Sequence, residues 1–247
     1  MRRDWIVVTV LWSVLTVIGE LAIFTWSMVP EGYAREAEVV NDAFLLLLAF
    51  SVPVAAFVMT MVGYSVVMFR SKGEPTEDGP PMKGEPAVIT AWLIITTLLV
   101  FTVLVNPGFV GLSDIRGDAD ADVVIGIQSQ RWTWEATYEN GVVSGDELVL
   151  PVDTRIRFDI TATDVLHSFW IPAFAVKIDA VPGRTTELLV TPERLGDADS
   201  DPNVRVQCAE LCGSGHAAMS MPVRIVEQDE YEQWLDGLLE AAAGEGS

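Results

Sequence analysis

The sequence predicts a membrane-anchored all-β protein, and three observations carry that fold class. Half of the 247 residues are hydrophobic, and the long apolar blocks all fall in the first half of the chain. From Asp122 onward, short β-prone runs follow one another, separated by Gly, Pro and Asp. Several such runs indicate an antiparallel sandwich or barrel. Residues 113–247 also carry 25 acidic and 9 basic side chains, so they hold −16 of the formal net charge of −20, as a solvated module does.

Three apolar blocks supply the anchor. WIVVTVLWSVLTVIGELAIFTWSMV runs from Trp5 to Val29. The block from Ala43 to Phe69 contains FLLLLAFSVPVAAFVMTMVGYSVVMF, and AVITAWLIITTLLVFTVLV runs from Ala87 to Val105 before Asn106-Pro107-Gly108. A spanning helix needs about 20 predominantly apolar residues, which the second and third blocks provide as a hairpin. Pro53 is tolerated in lipid, where neighbouring helices satisfy the freed backbone groups. The first block fits two readings. Arg2 and Arg3, with Gly32-Tyr33-Ala34, match the basic start and cleavage site of a signal peptide. Its apolar run exceeds the roughly 7–15 residues of a signal core and holds Glu20, which favours a retained helix.

Basic residues mark the cytoplasmic side: Arg2 and Arg3, then Arg70, Lys72 and Lys83 around the linker SKGEPTEDGPPMKGEP. The third block then leads outward, so a multi-pass protein of the cell membrane is expected, with its C-terminal domain on the extracytoplasmic side. Four segments follow: 1–34 as transmembrane helix or signal peptide, 35–112 as a hairpin with spans near 43–69 and 87–106, 113–228 as the β domain, and 229–247 as a C-terminal helix and tail.

Within the β domain, RIRFDI (Arg155 to Ile160) alternates charged and apolar residues, the signature of a half-buried strand. DVVIGIQSQRWTWEATY, ELVLP, RTTELLVTP, NVRVQ and MPVRIVE add further runs, and EYEQWLDGLLEAAA reads as an amphipathic helix. The acidic surface repels nucleic acid and favours basic partners at low salt. Only three lysines among many acids, with abundant Ala and Val, also suit a halophilic protein. In concentrated salt a Debye length of roughly 3 Å at 1 M leaves little electrostatic steering.

Chemistry concentrates in CAELCGSGHAAM, Cys208 to Met219, which holds both cysteines and one of the two histidines. A cysteine pair facing an oxidising compartment forms disulfides, and Cys208, Cys212, His216 and a further histidine could close a zinc tetrahedron. Three features favour copper instead. Thiolate and thioether ligands together select it; Gly213 and Gly215 allow a tight loop; and His167, in TDVLHSFW, lies at the end of a β-prone run. Two cysteines, two histidines and a methionine exceed what one blue-copper ion uses, and the surplus thiolate lets two sulfurs bridge two ions.

TDVLHSFWIPAFAVKIDAVPGR followed by CAELCGSGHAAM resembles cytochrome c oxidase subunit II and its dinuclear CuA centre. The resemblance covers most of the chain, and it implies a cupredoxin-like Greek-key β-sandwich or barrel for the soluble domain. It also implies two copper ions held by the side chains of His167, Cys208, Cys212, His216 and Met219 and by the backbone carbonyl of Glu210, whose carboxylate reaches a magnesium ion at the boundary with subunit I. Trp132 matches the exposed aromatic residue that receives the electron, with packing as its other reading. Lys177, Asp179 and Arg184 match positions near subunit I, or are ordinary surface charges. The sequence departs from the family at three places: Ile89 stands where a Glu at a proton path is common, with Glu85 one turn earlier; Thr96 replaces a Pro; and Gln130-Arg131 replaces His-Gln.

The resemblance implies subunit II of a cytochrome c oxidase, an oxidoreductase and translocase. Such a subunit takes electrons from an extracytoplasmic donor, a c-type cytochrome or a small blue-copper protein. It passes them to haem in subunit I, where oxygen is reduced to water as protons are translocated. Subunit I, other oxidase subunits and membrane lipid are the expected partners, with no nucleic acid. Two histidines are too few for the haems and a third copper. A membrane-anchored copper-binding or copper-delivery protein is the alternative from another class, and a domain with a structural Cys208–Cys212 disulfide is a third.

Overall fold

The computed structural model describes residues 2–26, 29–70, 73, 84–116 and 120–245. Lys72, Lys83 and most of the linker around them lie outside the described residues. The chain forms two compact units, Met1–Val29 with Asp42–Gly111, and Pro30–Asn41 with Leu112–Ser247.

Helices α1 (Arg2–Thr25), α2 (Arg35–Met68) and α3 (Pro86–Val103) follow from the apolar blocks. The stretches Arg3–Thr25, Arg35–Met68 and Pro86–Arg116 are each long and apolar enough to cross a membrane. No residue of α3 is buried, as expected of a helix that is apolar all round and meant for lipid or other helices. Between α1 and α2, the Trp12 indole N–H donates to the Pro53 carbonyl at 2.8 Å. The Tyr64 hydroxyl donates to Asp4 at 2.7 Å. Gly19 lies so close to Val52 that an added Cβ would come within 2.7 Å of its Cγ1. Small residues and a few polar contacts are the usual means of packing helices in apolar surroundings. Asn106 leaves helical geometry at φ −137° and ψ 115°, because a residue before proline is driven toward extended backbone. α4 (Val110–Arg116) follows.

The second unit is a cupredoxin-like two-sheet sandwich, in agreement with the expected fold class. One sheet has the order β3 (Val143–Ser144), β2 (Thr133–Thr137), β1 (Val123–Gln130), β5 (Ile156–Ala162), β8 (Thr186–Val190). The other has the order β4 (Leu148–Pro151), β11 (Ser220–Val226), β10 (Arg205–Cys208), β6 (His167–Ile171), β7 (Val176–Ala180). The short β9 (Gly196–Asp197) pairs with β11. Side chains that alternate inward from both sheets, among them Ile125, Trp134, Phe158, Phe169, Leu148 and Ile225, form the core. In β5, Ile156, Phe158 and Ile160 are buried while Arg157 and Asp159 pair outside at 2.9 Å, as the alternation in RIRFDI predicts.

Three details differ from the sequence reading. The sheets are mixed, because β1 runs parallel to β5 and β4 parallel to β11. Parallel neighbours require a crossover, which the chain makes by passing from one sheet to the other between β3 and β4 and between β4 and β5. The run DVVIGIQSQRWTWEATY is a hairpin rather than one strand, since Gln130 pairs with Thr133 and only Arg131 and Trp132 make the turn. His167 opens β6 instead of ending a strand. All four residues of β4 are buried, since α5 (Gln228–Glu245) packs beside this strand. The Trp234 indole of α5 donates to Glu147 at 2.9 Å, and its ring meets Tyr138 at 5.1 Å.

The β unit also takes in Pro30–Asn41, the chain between the first and second apolar blocks. The Tyr33 N–H donates to Ala173 O at 2.9 Å, Arg35 N–H to Thr191 O at 3.0 Å, and Glu193 N–H to Tyr33 O at 2.9 Å. Arg194 caps the Tyr33 ring at 4.8 Å and pairs with Glu31. Deeper in, Arg155 donates to Glu36, whose side chain is 1% exposed. It also donates to Thr191 Oγ1 at 3.1 Å and to Ile115 O at 3.0 Å.

Candidate metal centre

The loop between β10 and β11 leaves and returns on adjacent antiparallel strands, with Gln207 opposite Ser220. Its base is closed by Cys208 N–H donating to Met219 O at 3.0 Å, and Ala209 N–H donates to Ser168 O at 3.0 Å on β6. Because Cys208 pairs with Phe169, His167 at the start of β6 is carried beside the loop. A short 3₁₀ turn at His216–Ala218 bends the chain back toward β11. Gly213 sits at φ +121°, a conformation that side chains resist.

This folding brings the sulfur and nitrogen donors together. Cys208 Sγ and Cys212 Sγ are 3.8 Å apart, and both thiols are free and buried. His167 Nδ1 stands 3.9 Å from Cys208 Sγ, and His216 Nδ1 3.7 Å from Cys212 Sγ. Met219 Sδ is 3.7 Å from Cys212 Sγ, and the Glu210 carbonyl oxygen is 3.2 Å from Cys208 Sγ. The ligand atoms of His167, Cys208 and Cys212 all fall within 4.8 Å of one another. Each sulfur therefore has an imidazole nitrogen and one further donor beside it. Burial, then the contact with Cys208, pushes the Cys212 thiol up to about 11. A metal must displace that proton, since only the thiolate binds it.

Asp164, which sequence reasoning missed, and Arg131, which it noted only as a departure from the family, complete the surroundings. Asp164 accepts from His167 Nε2 at 2.9 Å and from Val165 N–H at 2.7 Å. Arg131 donates to the same carboxylate through its backbone N–H at 3.0 Å and its Nε at 2.9 Å. Burial works against the Asp164 anion, but these donors together hold its carboxyl well below the usual carboxylate range. The available signal was an acid three residues before the histidine in TDVLH, on the same short turn.

Trp132 lies at the tip of the β1–β2 hairpin, 41% exposed. Its indole rests on the glycines of the loop: an added Cβ at Gly215 would fall 2.4 Å from the ring and one at Gly213 3.4 Å from it. Trp134 is buried, edge-on to His167 at 6.1 Å. Leu166 and Leu211, sequence neighbours of His167 and Cys212, are exposed, and so is the carboxylate-bearing Glu210. Lys177 and Asp179 point outward from β7 and Arg184 lies in the following turn; no ion pair holds any of the three among the described residues. Glu85 is exposed just before α3.

The donor set fits copper. Two thiols, two imidazoles and a thioether are soft and borderline donors of the kind copper takes, and the Glu210 carbonyl adds one oxygen beside them.

A family model described as cytochrome C oxidase subunit II, periplasmic domain, matches residues 135–227. Cytochrome c oxidase subunit 2 of Alkalihalophilus pseudofirmus is 30% identical over 203 residues, covering 78% of this chain and 57% of that protein. The corresponding protein of Synechocystis is 26% identical over 255 residues, covering 84% of this chain and 75% of its own length. The crystal structure of the periplasmic domain of cytochrome oxidase subunit II of Bradyrhizobium japonicum aligns with 49% of this chain and 96% of its own, at 32% identity and a TM-score of 0.46. This chain thus spans little more than half the length of the Alkalihalophilus relative. The matched span holds β6, β10 and the loop that together carry all five donor side chains, and with it the chain belongs to the cytochrome c oxidase subunit II family.

Proposed function

We propose that this chain is the electron-accepting subunit of a membrane haem–copper oxidase. It takes electrons from an extracytoplasmic donor and passes them to haem in subunit I for the reduction of oxygen to water coupled to proton translocation. The observation that carries this reading is the pair of free thiols 3.8 Å apart, each flanked by an imidazole. His167, Cys208, Cys212, His216, Met219 and the Glu210 carbonyl are the groups that would hold two copper ions. Bound there, the two ions would supply a one-electron store.

The rest of the work falls to the protein. β6, β10 and β11 fix three of the five side chains, His167, Cys208 and Met219, at strand ends or on the closed base of the loop, so little geometry would change when one electron arrives. Burial of Cys208, Cys212, Met219 and His167 keeps water from the sulfurs. Trp132, exposed on one side and laid against the loop glycines on the other, offers a donor protein an aromatic contact within reach of the centre. A c-type cytochrome or a small blue-copper protein suits that contact. Exposed Leu166 and Leu211 beside the ligands support burial of this end of the sandwich against partners, with Glu210 offering its carboxylate to magnesium at the subunit I boundary. Lys177, Asp179 and Arg184 belong to the same proposed boundary.

α1 is a retained span in this reading. Its contacts to α2 through Trp12, Gly19 and Asp4 are those of a packed helix. The candidate cleavage residues Tyr33 and Ala34 are buried in the β unit. With three spans and Arg2 and Arg3 inside, the β unit lies outside the membrane.

Purification of the chain from its own membranes tests both points. Two copper ions per chain, an electron paramagnetic resonance signal spread over two equivalent copper nuclei, and a co-purifying haem subunit are expected. An isolated chain bearing zinc or a single copper would overturn the assignment. Intact mass reads the N-terminus of the same sample, and a chain beginning at Arg35 would refute retention of α1.

A further inference from the structure

Outside the donor set, the groups nearest the centre form one connected chain. The four lone-pair positions of the Asp164 carboxylate, the usual capacity of that group, are all used within this protein. Oδ1 accepts from His167 Nε2 and Val165 N–H; Oδ2 accepts twice from Arg131. A carboxylate only accepts, so it holds the His167 proton on Nε2 and leaves the Nδ1 lone pair facing Cys208 Sγ at 3.9 Å. The imidazole is fully buried against the edge of Trp134, and Asp164 is its one hydrogen-bond partner besides Cys208 Sγ among the described residues.

Arg131 extends the chain to the surface. It is one of the two residues that turn the β1–β2 hairpin, and the other is Trp132. By fixing both its backbone and its guanidinium to Asp164, it ties the tip that carries Trp132 to the acid that orients His167. The base of the same tip is joined to this turn by Thr163 N–H donating to Ser129 O at 3.0 Å. Arg131 stands where the family resemblance leads one to expect Gln, a side chain that could not supply the charge-assisted half of this tie.

We propose that Asp164 is a positioning residue for His167, and that Arg131 locks it, so that the Trp132 tip and the imidazole are held as one piece. The proposal rests on the copper reading of the loop and deepens it. Two consequences follow from the chemistry. An ionised partner raises the basicity of a ligating imidazole and favours the more oxidised metal, so its removal moves the reduction potential upward. Loss of such a partner also weakens metal binding, by about 10–100-fold in comparable sites.

The test uses the full-length chain, loaded with copper, as wild type, Asp164→Ala, Asp164→Asn and Arg131→Gln. Asp164→Ala should change the copper hyperfine pattern, raise the reduction potential and lower copper affinity by about 10–100-fold. Asp164→Asn, which can still accept from Nε2, should recover part of each change, and Arg131→Gln should move the same readouts less. A wild-type chain without a dinuclear copper signal sinks the reading of the site, and the positioning role with it. A wild type that shows the signal beside an unchanged Asp164→Ala overturns the positioning role alone. Nitrogen chemical shifts of His167 in the metal-free wild type need no variant to fold: the Nε2–H tautomer supports the proposal, and the Nδ1–H tautomer overturns it.

Discussion

Gly215 and Trp132 show how closely the loop and the hairpin tip are fitted. A single added carbon at Gly215 would stand 2.4 Å from the indole, closer than real side chains approach, so Gly215→Ala has to displace the ring or the loop. Overpacking of this kind costs about 1–3 kcal/mol in a packed interior, and less is expected here because Trp132 is 41% exposed and can swing outward. The expected outcome is a small change in melting temperature together with a tenfold or greater fall in the rate of reduction by the donor, on the order of 1.4 kcal/mol in the barrier. Stopped-flow reduction and thermal unfolding of the same sample separate the two, and an unchanged rate would remove Trp132 from the path. The aromatic character of this position was legible in the sequence, but its place at a turn was not. Arg131 and Trp132 include none of the Gly, Asn, Asp or Pro residues that announce a tight turn. Asp164 stayed hidden for a different reason, since an acid three residues from a histidine acquires meaning only when both point to the same side.

At the scale of elements, the segment Pro30–Asn41 alters what the β unit is made of. Arg155 and Glu36 form an ion pair in which the side chains are 16% and 1% exposed, and Thr191 N–H donates to the same carboxylate at 2.9 Å. Breaking a buried pair from one side leaves the other charge uncompensated and costs about 3–5 kcal/mol. Arg155→Met should therefore lower the stability of the copper-binding unit by that order, and adding Glu36→Gln should restore a substantial part. Thermal unfolding of the detergent-purified variants checks this, and a double variant no better than the single one would count against the pair. Runs such as RIRFDI, ELVLP and MPVRIVE were legible as strands because their periodicity is local. The strap formed by Pro30–Asn41 was not, because nothing in GYAREAEV indicates that residues more than 100 positions downstream complete its hydrogen bonds. The parallel pairings of β1 with β5 and β4 with β11 were missed likewise, since alternation specifies a strand's faces but not its neighbours.

For the molecule as a whole, the titrating groups make alkaline pH the informative direction. Burial pushes Tyr231 up to about 12 and raises Tyr138 as well, while Cys212 moves from 9.0 to about 11. Folded values above the unfolded ones contribute stability that is present below the unfolded value and lost as pH rises through the folded one. The metal-free chain should accordingly weaken from about pH 9 upward. Copper-bound sulfur carries no proton to lose, so the melting-temperature gap between loaded and metal-free chain should widen from pH 9 to 11. The tyrosines titrate in both forms and cancel in that difference, and a gap that stays level would contradict the thiol assignment. The membrane-length helices and the sandwich were legible beforehand, and the five side chains that the motif singles out are brought together, because apolar length, alternation and ligand chemistry are written in consecutive residues. One practical lesson concerns transplantation. The β unit is not a contiguous cassette: a chimera cut at Leu112 and grafted onto a foreign anchor leaves its strap behind, with Arg155 facing a vacated seat. A portable version has to bring Pro30–Asn41 along, spliced to the module by a designed bridge in place of the excised hairpin.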